Sequence, residues 1–262
     1  MYGHRVAGGW ETWTWDPSLF AGAASYYERG RLPYAPGLAA ALGTALDLDG
    51  RGRLLDAGCG PGTITMLLAP LFDEAIGLDP DADMLAEAAR AVTFAASFHW
   101  MDRPRVAAAV RAMLDPGGAL VHVDNRHQAD AGPPSEHPPV PWPAIDELRR
   151  AWLGADRRAG AGIRSSSPGD EDDVLRAAGF AGPEVIVVPD GRTLVRRADD
   201  VVASVFSLSG TAPHLFGARA GEFEGELRRL LDAARGGGPG FGVGLPDNLL
   251  KLWRPAGPPS RS

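Results

Sequence analysis

Sulfur chemistry has little purchase in this chain of 262 residues, because it holds a single cysteine, Cys59. One cysteine makes no internal disulfide and no cysteine-rich zinc site, and a reducing cytoplasm is the expected home. No run of about 18 apolar residues occurs, which excludes a transmembrane helix and a membrane partner. Residues 1–20 lack the basic tip and apolar stretch of a secretory signal. The net charge of −7 leaves no basic footprint for nucleic acid. Lysine is nearly absent: Lys251 is the only one, and arginine supplies the rest of the positive charge, together with much Ala, Gly and Pro. That composition fits a GC-rich genome. His4, His99, His122, His127, His137 and His214 show no metal-ligand spacing, so no metal is expected.

What is present suits one compact globular domain, or one domain with a cap. After an aromatic, irregular start, apolar spacing predicts a helix over 36–46. Strands are predicted at 53–56, 75–79, 92–96 and 119–124. Helices are expected at 63–68, 81–90 and from Asp102, its cap, to about Leu114, where Asp115-Pro-Gly-Gly makes a turn. This alternation argues for a mostly parallel sheet with helices on both faces. Residues 1–130 form an N-terminal cover and nucleotide-binding half. Residues 131–143, with six prolines, read as an extended linker. The C-terminal half, 144–254, carries helices at 143–153, 170–178, 199–207 and 221–234, and strands at 184–188 and 249–253. Residues 193–195 extend the 184–188 strand as a hairpin, and 255–262 form a disordered tail.

The chemistry concentrates at Asp56-Ala-Gly58-Cys59-Gly60-Pro61-Gly62, between a strand and a helix. Glycines allow a sharp turn and the close approach of a ligand, and the helix start beyond offers unpaired N–H groups. A dinucleotide fingerprint would need a third glycine where Thr63 or Thr65 stands, which disfavours NAD and FAD. The acid Asp79 closes the second strand, and its two oxygens can accept two hydrogen bonds.

The pattern D-x-G-x-G-x-G followed by Asp79 resembles motif I of class I S-adenosylmethionine (SAM) methyltransferases. The segment Ser97-Phe-His99-Trp100-Met-Asp102 resembles the post-strand segment of the small-molecule "methyltransferase type 11" group. Phe20-Ala-Gly-Ala-Ala-Ser-Tyr-Tyr27, with Arg31 and Tyr34, is similar to that group's N-terminal cover, and Leu249-Leu-Lys-Leu-Trp-Arg to its final strand. The resemblance implies a Rossmann-like fold and transfer of a methyl group from SAM to a small molecule. By the same resemblance, Asp79 binds the ribose hydroxyls. With it, Asp56, Gly58, Cys59, Gly60, Gly62, Pro80, Ser97, Tyr27 and Arg31 make the cofactor set. Cys59 itself reads as a small packing residue with no basic partner to activate it. His99, Asp124 and His127 are the candidate catalytic residues; Trp100, His214 and Phe216 are the candidate substrate residues, the last two in a segment, 199–220, expected to cap the site. His122, mid-strand, is expected to be packed.

One piece of the family pattern is missing. The usual order after strand 2 is helix B, strand 3, helix C and strand 4, and the loop after strand 3 supplies an acid for the adenine amine. Only 12 residues separate Asp79 from Val92, so from Ala75 to Ala96 there is room for one tight βαβ unit and no second. Either the chain lacks strand 3 and helix C, or the sequence as written omits a stretch. A real deletion puts helix 81–90 on the sheet face opposite its family position, because parallel crossovers are right-handed. It also bares the strand 2 edge, inviting homo-oligomers through edge pairing, and weakens SAM binding, so that a methyltransferase fold with little or no SAM binding is the alternative reading.

Overall fold

A computed structural model describes residues 18–79, 89–126, 136–156, 158–159, 162–163 and 170–257. In chain order the helices are α1 (Ala24–Gly30), α2 (Leu38–Ala45), α3 (Thr63–Leu68), α4 (Arg103–Met113), α5 (Trp142–Leu153), α6 (Glu171–Ala177), α7 (Ala198–Phe206) and α8 (Ala220–Ala234). The strands are β1 (Arg53–Ala57), β2 (Glu74–Leu78), β3 (Ala89–Ala95), β4 (Leu114–Arg126), β5 (Arg158–Ala159), β6 (Gly162–Ile163), β7 (Phe180–Val188), β8 (Thr193–Arg196), β9 (Phe241–Gly244) and β10 (Asp247–Pro255). The main sheet runs β2-β1-β3-β4-β10-β7. β2, β1, β3 and β4 are parallel, and β10 is antiparallel to both β4 and β7. This is the mostly parallel α/β sheet that the alternation of strand and helix predicts.

Strand side chains alternate between the two faces. Leu54, Ala91, Val121, Val123 and Leu250 pack on one face against Leu38 and Leu42 of α2 and Ile64 and Leu68 of α3. Leu55, Val92, Phe94, Leu120 and Trp253 pack on the other against Ala107 and Val110 of α4 and Leu175 of α6. Asp102 caps α4 as expected, its carboxylate accepting from the Arg105 amide at 3.3 Å.

Several boundaries differ from the sequence reading. The third strand begins at Ala89, so Arg90 lies in a strand rather than at a helix end. Helix 81–90 otherwise falls on 80–88, outside the described residues, and so does the question of which face it occupies. The Asp115-Pro-Gly-Gly turn is absorbed into β4 as a bulge: Leu114 faces Ala89 and Ala119 faces Ala91, so four residues oppose one. Gly117, at φ +81°, makes the bend, and Arg90 fills the concavity. β8 does not extend β7 as a hairpin. It pairs with β9 in a separate two-stranded sheet. The end of the proline-rich stretch is not a free linker either: Pro139 bridges to Gly242, and Val140 is buried in the cap. Among the described residues β2 is one edge of the sheet, and residues 79–88 alone lead from it across β1 to β3. Among the described residues no strand pairs with the outer side of β2.

The cap has its own core, built of Val201, Val205 and Phe206 from α7, Phe223, Leu227 and Leu231 from α8, Ile145 from α5, and Phe216 and Phe241. α1 belongs to it through backbone contact. Gly30 lies against the carbonyl of Ala203 so closely that any Cβ would collide with it. Arg196, 7% exposed, donates through Nη2 to the carbonyls of Arg29 and Asp200, each at 2.8 Å, and Ser204 Oγ donates to the Gly30 carbonyl at 2.6 Å. Two carbonyls at the end of α1 are thereby satisfied by two side chains, and the Asp200 carbonyl ties them to the first turn of α7. No described helix is long and apolar enough to cross a membrane.

Two outcomes follow from this packing. Gly30→Ala forces α1 from α7 and is expected to cost about 2–3 kcal/mol, read as a lowered denaturant midpoint with an unchanged slope. His122, 2% exposed, packs between Phe94 and Phe98, and burial, aided by Lys251 and His99, pulls its pKa from 6.5 to about 3. The folded state therefore refuses a proton that the unfolded chain accepts. Stability is unaffected above about pH 6.5 and falls as the pH drops toward 3, by roughly 2 kcal/mol at pH 5 from this group. His122→Leu removes that contribution, so the stability difference between the two proteins must shift toward the variant below pH 6; parallel profiles would show that His122 titrates normally.

Candidate functional site

The carboxyl ends of β1, β2, β3 and β4 carry most of the residues singled out from sequence. The glycine loop leaves β1 with Gly58, Gly60 and Gly62 at φ +74°, +52° and +82°. These are left-handed conformations that side chains resist. At Gly58 space forbids a side chain as well, since a Cβ would lie 2.5 Å from that of Ser97. Ser97 is itself fixed there, its hydroxyl donating to the Ala57 carbonyl at 2.6 Å. The loop is hung on β2: the Leu78 carbonyl accepts from the amides of Gly58 at 2.7 Å and Cys59 at 3.0 Å. The Gly60 amide donates to Asp79 Oδ2 at 2.8 Å. The loop and the strand-end acid thus form one unit. Asp79 is exposed, and Oδ1 has no partner among the described residues.

Asp56 takes a different place from the one expected. It is fully buried, with Oδ2 accepting from Thr65 Oγ1 at 2.6 Å and Oδ1 from Thr93 Oγ1 at 2.9 Å. Burial raises its pKa against the pull of those hydroxyls. It supports the loop from beneath and does not face the crevice. Cys59 packs where Gly77 leaves room, since a Cβ on Gly77 would sit 2.9 Å from its sulfur. Burial raises the thiol's pKa, and Asp56 and Asp79 push it the same way, away from the thiolate form.

Tyr27 of α1 lies over Gly60, with Cζ 4.0 Å from where a Cβ would stand. Arg31 stacks on that ring at 4.6 Å and donates to the Ser207 carbonyl at 2.8 Å. The N-terminal cover is therefore tied to both the loop and the cap. After β3, Ala96 holds φ +53°, a strained conformation for alanine, and sends the chain into His99 and Trp100. Their rings are 4.7 Å apart, and Phe20 meets Trp100 edge-on at 5.9 Å. His214 Nδ1 donates to the Ala21 carbonyl at 3.0 Å, joining the cap to the same segment. Asp124 stands half-buried near the end of β4.

Phe216 is the clear misplacement among the substrate candidates. It is 7% exposed and stacks on Phe223 at 4.0 Å, inside the cap's core. Its neighbourhood in sequence to His214 suggests the pocket, but two residues apart on a 3-10 turn they face different sides. Pro80 and His127 lie outside the described residues. Sequence reading missed Asn248. Asn248, 1% exposed, accepts from the Ala35 amide at 2.6 Å and donates to Asn125 Oδ1 at 2.7 Å. That pair pins the segment after the cover to the end of β4. Its only sequence signal is a polar residue inside an apolar strand. Among the described residues no cluster of His, Cys, Asp and Glu is arranged to hold a metal ion.

No family model matches the chain, and no curated protein matches it. Solved structures similar to it include a protein described provisionally as a type II methyltransferase from Anaeromyxobacter dehalogenans, at 17% identity over 85% of this chain and 95% of that one, with a TM-score of 0.45. A SAM-dependent methyltransferase from Clostridium acetobutylicum matches at 10% identity over 91% and 92% of the two chains, with a TM-score of 0.38. The [4+2]-cyclase SpnF matches at 19% identity over 84% and 81%, with a TM-score of 0.40.

Proposed function

We propose that the chain is a SAM-dependent methyltransferase acting on a small-molecule acceptor. One observation carries the reading: the Gly60 amide is bonded to Asp79, which holds the glycine loop and the strand-end acid as a single cradle. The fit to the donor rests on that cradle. Three left-handed glycines bring backbone close to a ligand, and Asp79 Oδ1 stands ready for a ribose hydroxyl. Tyr27 covers the loop from the other side. The fit is thinner beyond β2, because no described strand there supplies an acid for the base.

When bound, the donor supplies an electrophilic sulfonium methyl, which an acceptor lone pair takes while the S–CH3 electron pair remains on sulfur. The chain's own work is to position and to exclude water. Tyr27, Arg31 and α7 close the cradle. His99, Trp100 and His214 line the acceptor side, and Asp124 is the group to take the acceptor's proton. A second reading, a degenerate methyltransferase-fold binding module with weak or no SAM binding, draws on the β2 edge that no described strand covers.

Calorimetric titration with S-adenosylhomocysteine separates the two. The enzyme reading expects micromolar binding, weakened at least tenfold in Asp79→Ala, since a ribose hydrogen bond to a charged group is lost. A folded chain that binds nothing would leave the binding-module reading standing. Binding that Asp79→Ala leaves unchanged would place the donor elsewhere.

A further inference from the structure

β7 closes the sheet at the end opposite β2. It pairs with β10 along one edge, and among the described residues no strand pairs with its other edge. The alternate amides and carbonyls on that side therefore face outward, with a ladder to offer. Ile186 and Val188 turn to the core face that carries α2 and α3. Val185 and Val187 turn to the opposite face, where they stand 51% and 43% exposed. Two neighbouring valines on one face of an outer strand differ from the single apolar residues scattered over an ordinary surface. Outer strands are commonly blunted by charge, lysine above all. Here the single charge between Pro183 and Pro189 is Glu184, and Arg254 of β10 already holds it at 3.0 Å.

The sequence of this edge complements itself. Proline has no N–H, so Pro183 and Pro189 bound the part of the edge able to form a ladder, residues 184–188. Ile186 lies midway between them. A second copy of the strand, laid antiparallel about a two-fold axis through Ile186 and normal to the sheet, sets Val185 opposite the partner's Val187 and Val187 opposite the partner's Val185. It also sets Pro183 opposite the partner's Pro189. Opposed residues of an antiparallel pair share a face, so the exposed valines of the two copies cover one another. Other registers fail. An axis through Glu184 opposes two carboxylates, one through Val185 opposes Val187 to Pro183, and one through Val187 opposes Glu184 to Asp190. An axis between two residues would oppose side chains of opposite faces.

We propose that the outer edge of β7 is a homodimer surface, on which a second copy of this chain adds its own β7 antiparallel with Ile186 on the axis. The operation joins two six-stranded sheets into one and turns their crevices to opposite ends. The inference stands apart from the methyl-donor reading. The contact is short, so association is weak, with a dissociation constant on the order of 10 μM.

Sedimentation velocity on the full chain tests it, and the unaltered protein should pass from monomer to dimer across that range. Val185→Glu and Val187→Lys each set a charge against valine. Each should weaken the dimer about tenfold, since two-fold symmetry counts every substitution twice. Combining the two sets the new carboxylate opposite the partner's new ammonium at both ends of the pair. The combination should return the dimer to within about threefold of the unaltered chain. Both positions are exposed, so melting should stay within a few degrees in every variant. A chain that remains monomeric at about 200 μM overturns the proposal. A dimer that both single substitutions leave intact also overturns it and puts the contact elsewhere, the β2 edge included. Single substitutions that weaken a dimer which their combination does not restore overturn the register, and with it the place of Ile186 on the axis.

Discussion

A buried carboxylate underlies the site. Asp56 is buried and has no ion-pair partner among the described residues, a placement that costs free energy unless its oxygens are bonded. Thr65 of α3 and Thr93 of β3 supply those bonds. The same two bonds fix where α3 starts relative to β1 and β3, and so fix the path of the glycine loop between them. The loop's other supports come from β2, through the Leu78 carbonyl and Asp79. Gly77 completes the arrangement by having no side chain, which lets Cys59 and Thr65 sit over β2. Polar groups with short reach, each with one available partner, specify this corner more tightly than apolar packing alone does.

The cover is held by a second constraint of the same kind. Arg196 and Ser204 gather the carbonyls at the end of α1 onto α7, and Arg31 reaches from the end of α1 to the end of α7. Residues nearly two hundred positions apart thereby move as one body. Tyr27 rides on that body and lies over Gly60, so the roof of the loop is set by the cap rather than by the sheet. Its aromatic seam, Phe20 on Trp100 and Trp100 beside His99, meets the loop after β3 from above.

The sheet was legible in the sequence where period and punctuation agreed. β1, α3, β2 and α4 fall within a residue or two of their expected bounds, because an apolar run, a glycine cluster or an Asp cap marks each. β4 was shortened in the reading because Asp115-Pro-Gly-Gly is a turn signal that a bulge uses equally well. β8 was assigned to the wrong partner because strand pairing is a tertiary choice: a short run close in sequence to β7 bonds instead to β9, nearly fifty residues on. At the site, motif residues were read correctly as neighbours, but orientation was not. Asp56 turns inward, since an even-numbered position on β1 faces α3, and Phe216 turns into the cap. Asn248 is not legible because nothing in its local sequence says that it holds the Ala35 amide, more than two hundred residues away.

The short path from β2 to β3 divides the site's fate in two. Every support of the glycine loop comes from β1, β2, β3 and α3, none of which needs a further strand outside β2. The loop is therefore self-sufficient within those elements. Among the described residues the sheet ends at β2, where Ala75, Ile76 and Leu78 are half-exposed. The supports of the loop and the edge of the sheet are thus separate, and the loop keeps its path whatever stands outside β2.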